Sequence, residues 1–434
     1  MAYDIIIGRN ESDRKLFGSR GLIFLGKGYV KMGTYTSLSN KIWLDIARSH
    51  VILVAGKRGS GKSYTLGVIA EGLSDLHGEE AANVAPLIFD TMGIFWTMKY
   101  KNEKDRALLD EWELKTKELP VRVFIPFGKE KEYREKLIPF DELFALKVSE
   151  LGAEDWLGLF NLPITSPEGV LLERVVTRMK LSAESYTIAE MQEAVDSDDR
   201  ASKQTKDVVA ALLYAADSWG IFSREKSGTE IEELITPGTT TVLDISVYSS
   251  STLFNIRALV IGLLSKKIFT LRMDARKKEE LESLLHGTDY LAHSGEEPLV
   301  WIFIDEAHEF LPKVGKTPAT DALVQLLREG RQPGISLVLA TQQPGQIHGD
   351  VMTQSDIVIS HRVTAKPDID ALNEIMQTYL LKSIKQQIDD LPRLRGSAII
   401  LDDNSERIYP IRVRPRFTWH GGEAPTAIKA QMSL

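Results

Sequence analysis

The residues Gly56-Lys57-Arg58-Gly59-Ser60-Gly61-Lys62-Ser63 combine three glycines, a terminal lysine and a hydroxyl in the order G-x-x-x-x-G-K-[ST]. The glycines let the backbone curl until several N–H groups face one point, and a helix beginning there adds a favourable dipole for phosphate. Lys62 is placed to reach the β- and γ-phosphates of a nucleotide, and the Ser63 hydroxyl to ligate Mg²⁺. The nucleotide-binding set is therefore Gly56, Gly59, Ser60, Gly61, Lys62, Ser63 and Tyr64, with ATP or GTP and Mg²⁺ as the implied cofactors. A second chemical feature is the apolar run Leu299–Ile304, which ends in Asp305 and Glu306. A strand end beside a phosphate loop puts Asp305 in the Mg²⁺ shell and lets Glu306 orient and deprotonate a water. The plainer reading of that pair is a charged turn capping a strand.

Two further groups extend the site. The run Ile335–Thr341 leads into Gln342, whose amide can sense the γ-phosphate or simply solvate a strand end. Arg328 and Arg331 follow a helical stretch, where arginine favours the helix C-terminus in any case. The sharper reading has Arg331 reaching the nucleotide of a neighbouring subunit and stabilising charge during phosphoryl transfer. Arg48 is a weaker candidate for the same role.

These residues need a scaffold that brings strand ends together. Seven short runs read as strands: Val51–Ala55, Leu87–Asp90, Val121–Ile125, Thr240–Ile245, Val300–Asp305, Ser336–Thr341 and Asp356–Ser360. Amphipathic stretches between them, including Lys62–Leu76, Leu253–Arg272 and Thr320–Gly330, read as helices, so the pattern is α/β with a mostly parallel, doubly covered sheet. The expected organisation is a small N-terminal β module (1–48), a first part of the ATPase core (49–138), a helical insertion (139–232), the rest of the core (233–414) and a C-terminal tail (415–434). In the first module, Gly21–Phe24 and Tyr29–Met32 read as a hairpin around Gly26-Lys27-Gly28. Helices are expected at Asp105–Glu118, Asp141–Val148, Pro167–Met179, Ile188–Ala194 and Ser202–Ser218. A helix end and a loop are expected over Asp274–Glu297, two helices after Arg362, and strands at Ser397–Leu401 and Arg407–Val413.

The chain of 434 residues carries no cysteine, which excludes disulfides and thiolate chemistry. No stretch reaches the roughly 18 apolar residues of a membrane span. The first residues lack the layout of a signal peptide, so the expectation is cytoplasmic. A net charge of −8 gives no overall attraction to a polyanion, although a local basic lining can still bind one. Lys99, Lys101, Lys104, Lys313, Lys316 and His348 are candidates for such a lining, and each fits solvated surface at least as well.

The combination of motifs resembles the HerA/FtsK superfamily, specifically HerA-like ATPases. The resemblance rests on G-K-R-G-S-G-K-S from Gly56, I-D-E-A-H-E-F from Ile304, L-R-E-G-R-Q-P-G from Leu327 and L-A-T-Q-Q-P from Leu339. Ser360-His361-Arg362, Asp370-Ala371-Leu372 and the R-x-R…H-G-G pattern at Arg412–Arg416 and His420–Gly422 follow in order. It implies a RecA-like P-loop ATPase core in a homohexameric ring, ATP at subunit interfaces, duplex DNA in the channel and a nuclease or other effector as partner. The catalytic roles then fall on Lys62, Glu306, Gln342 and Arg331, with Ser63 and Asp305 on the metal. The family's strand-end aspartate lands on Asp90, but Asp90-Thr91-Met92-Gly93-Ile94-Phe95 lacks the Glu of D-x-x-G-E-Y. The leading expectation is a DNA translocase or helicase. An ATP-gated scaffold that regulates a partner enzyme is the alternative, and a secretion or conjugation coupling ATPase a third.

Overall fold

A computed structural model describes residues 4–32, 35–249, 254–286, 297–376, 387–388 and 390–422. Its thirteen strands are β1 (Ile5–Ile7), β2 (Leu22–Met32), β3 (Tyr35–Asp45), β4 (Val51–Ala55), β5 (Val84–Asp90), β6 (Val121–Pro126), β7 (Glu142–Phe144), β8 (Thr240–Asp244), β9 (Leu299–Ile304), β10 (Ile335–Thr341), β11 (Ile357–Ser360), β12 (Ser397–Asp402) and β13 (Arg407–Val413). They form one sheet in the order β1-β3-β2-β13-β12-β11-β4-β10-β9-β5-β8-β6-β7. From β11 through β7 every pairing is parallel, whereas β12, β13 and β2 join by antiparallel pairing. The strands expected from the apolar runs are all present, and the N-terminal strands continue the same sheet through the contact of β2 with β13.

Alternation along each buried parallel strand divides its side chains between two cores. Val51, Leu53, Ala55, Ile302, Ile304, Leu337 and Leu339 face one side, with Trp156, Leu171, Val175, Met191 and Leu213 of the helical insertion. Ile52, Val54, Trp301, Phe303, Val338 and Ala340 face the other, against Leu66, Val68, Ile69 and Leu73 of the helix Lys62–Ser74. Local signals set the helix starts in the insertion. The Ser166 hydroxyl accepts from Gly169 N at 3.0 Å ahead of Pro167, and Ser202 from Thr205 N at 3.2 Å. Thr187 and Glu190 form a reciprocal capping box.

Three local expectations change. There is no hairpin at Gly26-Lys27-Gly28: Leu22–Met32 is a single strand, with irregular register after Phe24 and after Lys27. Gly26 serves close approach instead, because a Cβ there would lie 2.3 Å from the Arg412 carbonyl oxygen of β13. Asp141–Val148 is not a helix. Its start forms the edge strand β7, and Phe144, Leu146 and Val148 are buried at alternate positions, the period of extended chain. The helix expected at Asp105–Glu118 spans only Arg106–Glu111, since Leu109 and Trp112 are buried and Glu113 turns the chain at φ 60°. A further helix, Ala153–Phe160, opens the insertion, and the long helix Ile256–His286 runs past Arg272. After Arg362 the helix Lys366–Met376 is present; the second helix expected there falls on residues outside those described.

The segment after β13, expected to be an irregular tail from Pro415, is fixed in place by a buried charge cluster. Glu71, fully buried on the helix Lys62–Ser74, pairs with Arg414 Nη1 at 2.8 Å and Arg416 Nε at 2.9 Å. It also accepts from Phe417 N and Thr418 N, both at 3.0 Å, and from the Thr418 hydroxyl at 2.5 Å. Burial alone would raise the Glu71 carboxyl; Arg416 and Arg414 reverse that and hold it below the usual range. Removing one partner of such a cluster leaves uncompensated buried charge. Glu71→Leu is therefore expected to lower unfolding stability by about 3–5 kcal/mol in urea titrations, with the Arg414–Thr418 segment becoming the earliest site of proteolysis.

Candidate nucleotide site

The parallel register decides which side chains meet. Ala55 of β4 pairs with Thr341 of β10, and Leu339 of β10 with Ile304 of β9. The residues just beyond these strand ends, Gly56, Gln342 and Asp305, therefore converge at the same edge of the sheet. Gly56 N donates to Thr341 O at 3.3 Å and Lys57 N to Arg362 O at 3.0 Å, which tie the loop to both flanking strands. Gly59 and Gly61 take φ values of 73° and 113°, the left-handed conformations the curl requires of glycine. Gly61 then caps the helix that begins at Lys62.

The predicted polar residues lie together. Ser63 donates its hydroxyl to Asp305 Oδ2 at 2.5 Å. Lys62, 5% exposed, donates Nζ to Lys57 O at 3.3 Å. Burial lowers its pKa, against the opposing pull of Glu306 and Asp305. Glu306 sits in the left-handed region at φ 51° and accepts a short hydrogen bond from Gln342 Nε2. Its other oxygen, Oε2, is buried without a hydrogen-bond partner. Burial and then the neighbouring Asp305 charge raise its pKa, while Gln342 and Lys62 pull it down. The Ser60 hydroxyl is likewise buried and unpartnered within the loop. Tyr64, grouped with the loop in sequence, accepts from Arg416 N at 2.7 Å and meets the His420 ring edge-on at 5.2 Å.

The hydroxyl of Ser63 and the carboxylate of Asp305 form a hard oxygen donor pair, which suits Mg²⁺ arriving with phosphate oxygens and water. Among the described residues no group of three or more His, Cys, Asp and Glu could hold a metal alone.

His361 supports the cradle from β11, a part its sequence context did not announce. Its Nε2 pairs with Thr65 Oγ1 at 2.8 Å and its Nδ1 with Ser397 O at 3.1 Å, so Nδ1 carries the proton. Burial lowers its pKa to about 4, which keeps the ring neutral. A histidine closing an apolar strand one register position from the P-loop strand is the signal that marks it. Asp90 closes its own loop, accepting from Met92 N, Gly93 N and Phe95 N at 3.1, 2.7 and 2.7 Å. Burial, and then Asp244 at the paired position of β8, raise its pKa to about 7.

Arg331 is not brought to this edge. It precedes β10, at the opposite end of a strand about 20 Å long. There its Nη2 pairs with Asp356 Oδ1 at 3.1 Å and donates to Gln354 O at 3.3 Å. Arg48 lies at that same end, paired with Asp13 at 2.9 Å. The lysine candidates find partners in their own chain: Lys99 with Asp141 at 2.5 Å, Lys101 with Glu118 at 3.5 Å, Lys313 with Gly345 O at 3.4 Å and Lys316 with Asp321 at 2.7 Å. His348 Nδ1 accepts from Asp350 N at 3.2 Å. Among the described residues no helix is long and apolar enough to cross a membrane.

Comparison with known proteins bears on the family and the fold. Over 185 residues the chain is 24% identical to the DNA double-strand break repair helicase HerA of Pyrococcus furiosus, covering 38% of this chain and 31% of that protein. Over 92 residues it is 30% identical to the probable HerA of Methanocaldococcus jannaschii, covering 21% of this chain and 17% of that one. The matched segments thus span less than a third of either relative. Among solved structures, VirB4 of Thermoanaerobacter pseudethanolicus shares the fold at a TM-score of 0.54 and 12% identity, covering 91% of this chain and 96% of that one. The bacterial conjugative coupling protein TrwBdeltaN70 does so at 0.50 and 12%, covering 86% and 87%. The family model described as the central domain of helicase HerA matches residues 30–268, more than half of the chain, and the protein belongs to that family.

Proposed function

We propose that this chain is the subunit of an ATP-hydrolysing homohexameric ring that translocates on duplex DNA, working with a nuclease or other effector. The observation that supports it most is the meeting of Lys62, Ser63, Asp305, Glu306 and Gln342 at one edge of the parallel sheet. In this reading the curled loop binds the triphosphate through backbone N–H groups, and Lys62 neutralises charge on its outer phosphates. Ser63 and Asp305 would hold Mg²⁺, whose chemistry when bound is to neutralise phosphate oxygens during transfer. Glu306 orients a water. Its oxygen attacks the γ-phosphorus, the bond from phosphorus to the bridging oxygen breaks, and the water's proton passes to the Glu306 carboxylate. Gln342, already bonded to Glu306, gives the amide that couples that carboxylate to β10 and the loop after it.

A guanidinium from a neighbouring subunit would add to the charge that Lys62 brings to the outer phosphates. Arg331, at the far end of β10, can serve a nucleotide only from an adjacent subunit, and this supports an interfacial site. Double-stranded DNA as substrate rests on the relatives' names and on the family. The internal pairing of the loop lysines favours a second reading, an ATP-gated scaffold that switches a partner enzyme without processive movement. Duplex DNA that raises ATP turnover in a salt-sensitive manner supports the motor; turnover indifferent to DNA but changed by a partner supports the scaffold.

Lys62→Ala is expected to abolish turnover in a phosphate-release assay. Glu306→Gln is expected to retain nucleotide while turnover falls about 10²–10⁴-fold; near-parental turnover would remove Glu306 as the base. A Cβ at Gly56 would lie 2.4 Å from Ser60 Oγ and 2.8 Å from His361 Cβ. Gly56→Ala should therefore weaken binding of a fluorescent nucleotide at least about tenfold with the far-UV spectrum unchanged, and parental affinity would mean that the loop does not hold the phosphates.

A further inference from the structure

Arg331 is one of two arginines at the end of the helix Thr320–Glu329, and the structure treats them differently. Arg328 has Nε and Nη2 both committed to Asp350 Oδ2, each at 2.7 Å. Arg331 is held by Nη2 alone, and its Nε and Nη1 make no hydrogen bond to a described residue. Its side chain is half exposed, at 50%. One nitrogen is pinned and two donors are left open to solvent, which suits a guanidinium that receives an anion from outside its own chain.

The pin itself is rigid. Asp356 is only 7% exposed, and each of its oxygens is fixed. Oδ1 accepts from Val51 N at 2.8 Å and forms an ion pair with Arg331 Nη2 at 3.1 Å, and Oδ2 pairs with His50 Nδ1 at 2.6 Å. Asp356 N in turn donates to Val51 O at 3.1 Å. The carboxylate is thereby locked to the first residue of β4, the strand that carries the phosphate loop at its other end. His50 is held at Nδ1 by Asp356; its Nε2 lies 3.5 Å from Asp45 Oδ2, a charge contact without a hydrogen bond, and Asp45 Oδ1 accepts from Arg9 Nε at 3.0 Å. Arg9 is fully buried and also donates to the carbonyls of Gly18, Arg20 and Gly21 at 2.8, 2.7 and 3.0 Å.

We infer that Asp356 is a positioning residue for phosphoryl transfer. It holds the Arg331 guanidinium at a fixed place and angle on the subunit surface, with two donors aimed outward, so that the arginine meets the adjacent subunit's nucleotide already oriented. The inference rests on the interfacial reading above. It assigns Asp356 no contact with nucleotide, and its effect is on the neighbour's site rather than its own.

That difference in address makes it testable. Asp356→Asn is expected to bind nucleotide at its own loop with unchanged affinity and KM, while kcat falls about 10- to 100-fold, the scale for a misplaced reacting group. Mixing it with Lys62→Ala subunits, which have a dead loop but an intact Arg331 and Asp356, should raise turnover severalfold. Arg331→Ala mixed with the same Lys62→Ala subunits is the control. If Arg331→Ala is not rescued, the interfacial reading itself fails. If Arg331→Ala is rescued and Asp356→Asn is not, only the positioning role is lost. Parental kcat for Asp356→Asn overturns it directly. Should that variant not fold, the pair His50→Gln with Asp356→Asn removes both charges together and retains their hydrogen-bonding capacity; it is expected to show the same loss of kcat and the same rescue in trans, and parental kcat there overturns the inference equally.

Discussion

Everything in this molecule is arranged around the parallel pairing of β4 with β10 on one side and β11 on the other. Five residues, all buried, form β4, and their backbone groups have neighbours on both edges. A parallel register leaves no choice about polarity: all the C-terminal ends lie together and all the N-terminal ends lie together. At the C-terminal edge the chain must leave the sheet at Gly56, Asp305 and Gln342, which become neighbours. At the N-terminal edge the residues that enter the sheet, His50, Arg331 and Asp356, become neighbours for the same reason. One sheet therefore carries two polar clusters at opposite ends, with an apolar interior between them.

The nucleotide edge and the buried cluster around Glu71 balance charge differently, and the difference fits their proposed tasks. At the nucleotide edge two adjacent carboxylates face one buried lysine, and one oxygen of Glu306 has no hydrogen-bond partner. In the proposed function a magnesium nucleotide answers both signs, its phosphates meeting the lysine and loop N–H groups and its cation the carboxylates. The Glu71 cluster, by contrast, satisfies its carboxylate fully with Arg414, Arg416 and backbone donors, and nothing in it is left open to a ligand. Glu71 is fully buried and the Glu306 side chain 12% exposed, and the two differ also in satisfaction, since only Glu71 has both oxygens hydrogen-bonded.

The legibility of this in sequence follows the physics. Buried parallel strands are apolar runs with sharp ends, so β4, β9 and β10 and the polar residues that close them could be read directly. The glycine-rich loop could be read because its conformations admit few other residues. What escaped was set by distant partners. Gly26 resembles a turn glycine in sequence, yet it is small because β13 presses on it. Asp141–Val148 has a mixed composition whose period of two shows only when burial is known. Arg414 and Arg416 fall in the R-x-R pattern, which gives them no partner, and only Glu71, some 340 positions earlier, makes them core. His361 lies in a run that matched the family without naming a role and Asp356 in none, and their roles come from register with β4.

The chain of charges behind Arg331 carries this argument furthest. Read inward from the surface it runs Arg331, Asp356, His50, Asp45, Arg9, with signs that alternate provided His50 is protonated. Burial alone would strip that proton; Asp356 and Asp45 outweigh burial and raise the imidazole to about 9. At neutral pH each buried charge thus has an opposite neighbour, the condition under which such a chain can be tolerated in an interior. Arg9 and Asp45 belong to the N-terminal strands, whereas Asp356 and Arg331 belong to the ATPase sheet. The alternation therefore links the N-terminal strands to Arg331 at the surface, through one run of buried charges at the end of the sheet opposite the phosphate loop.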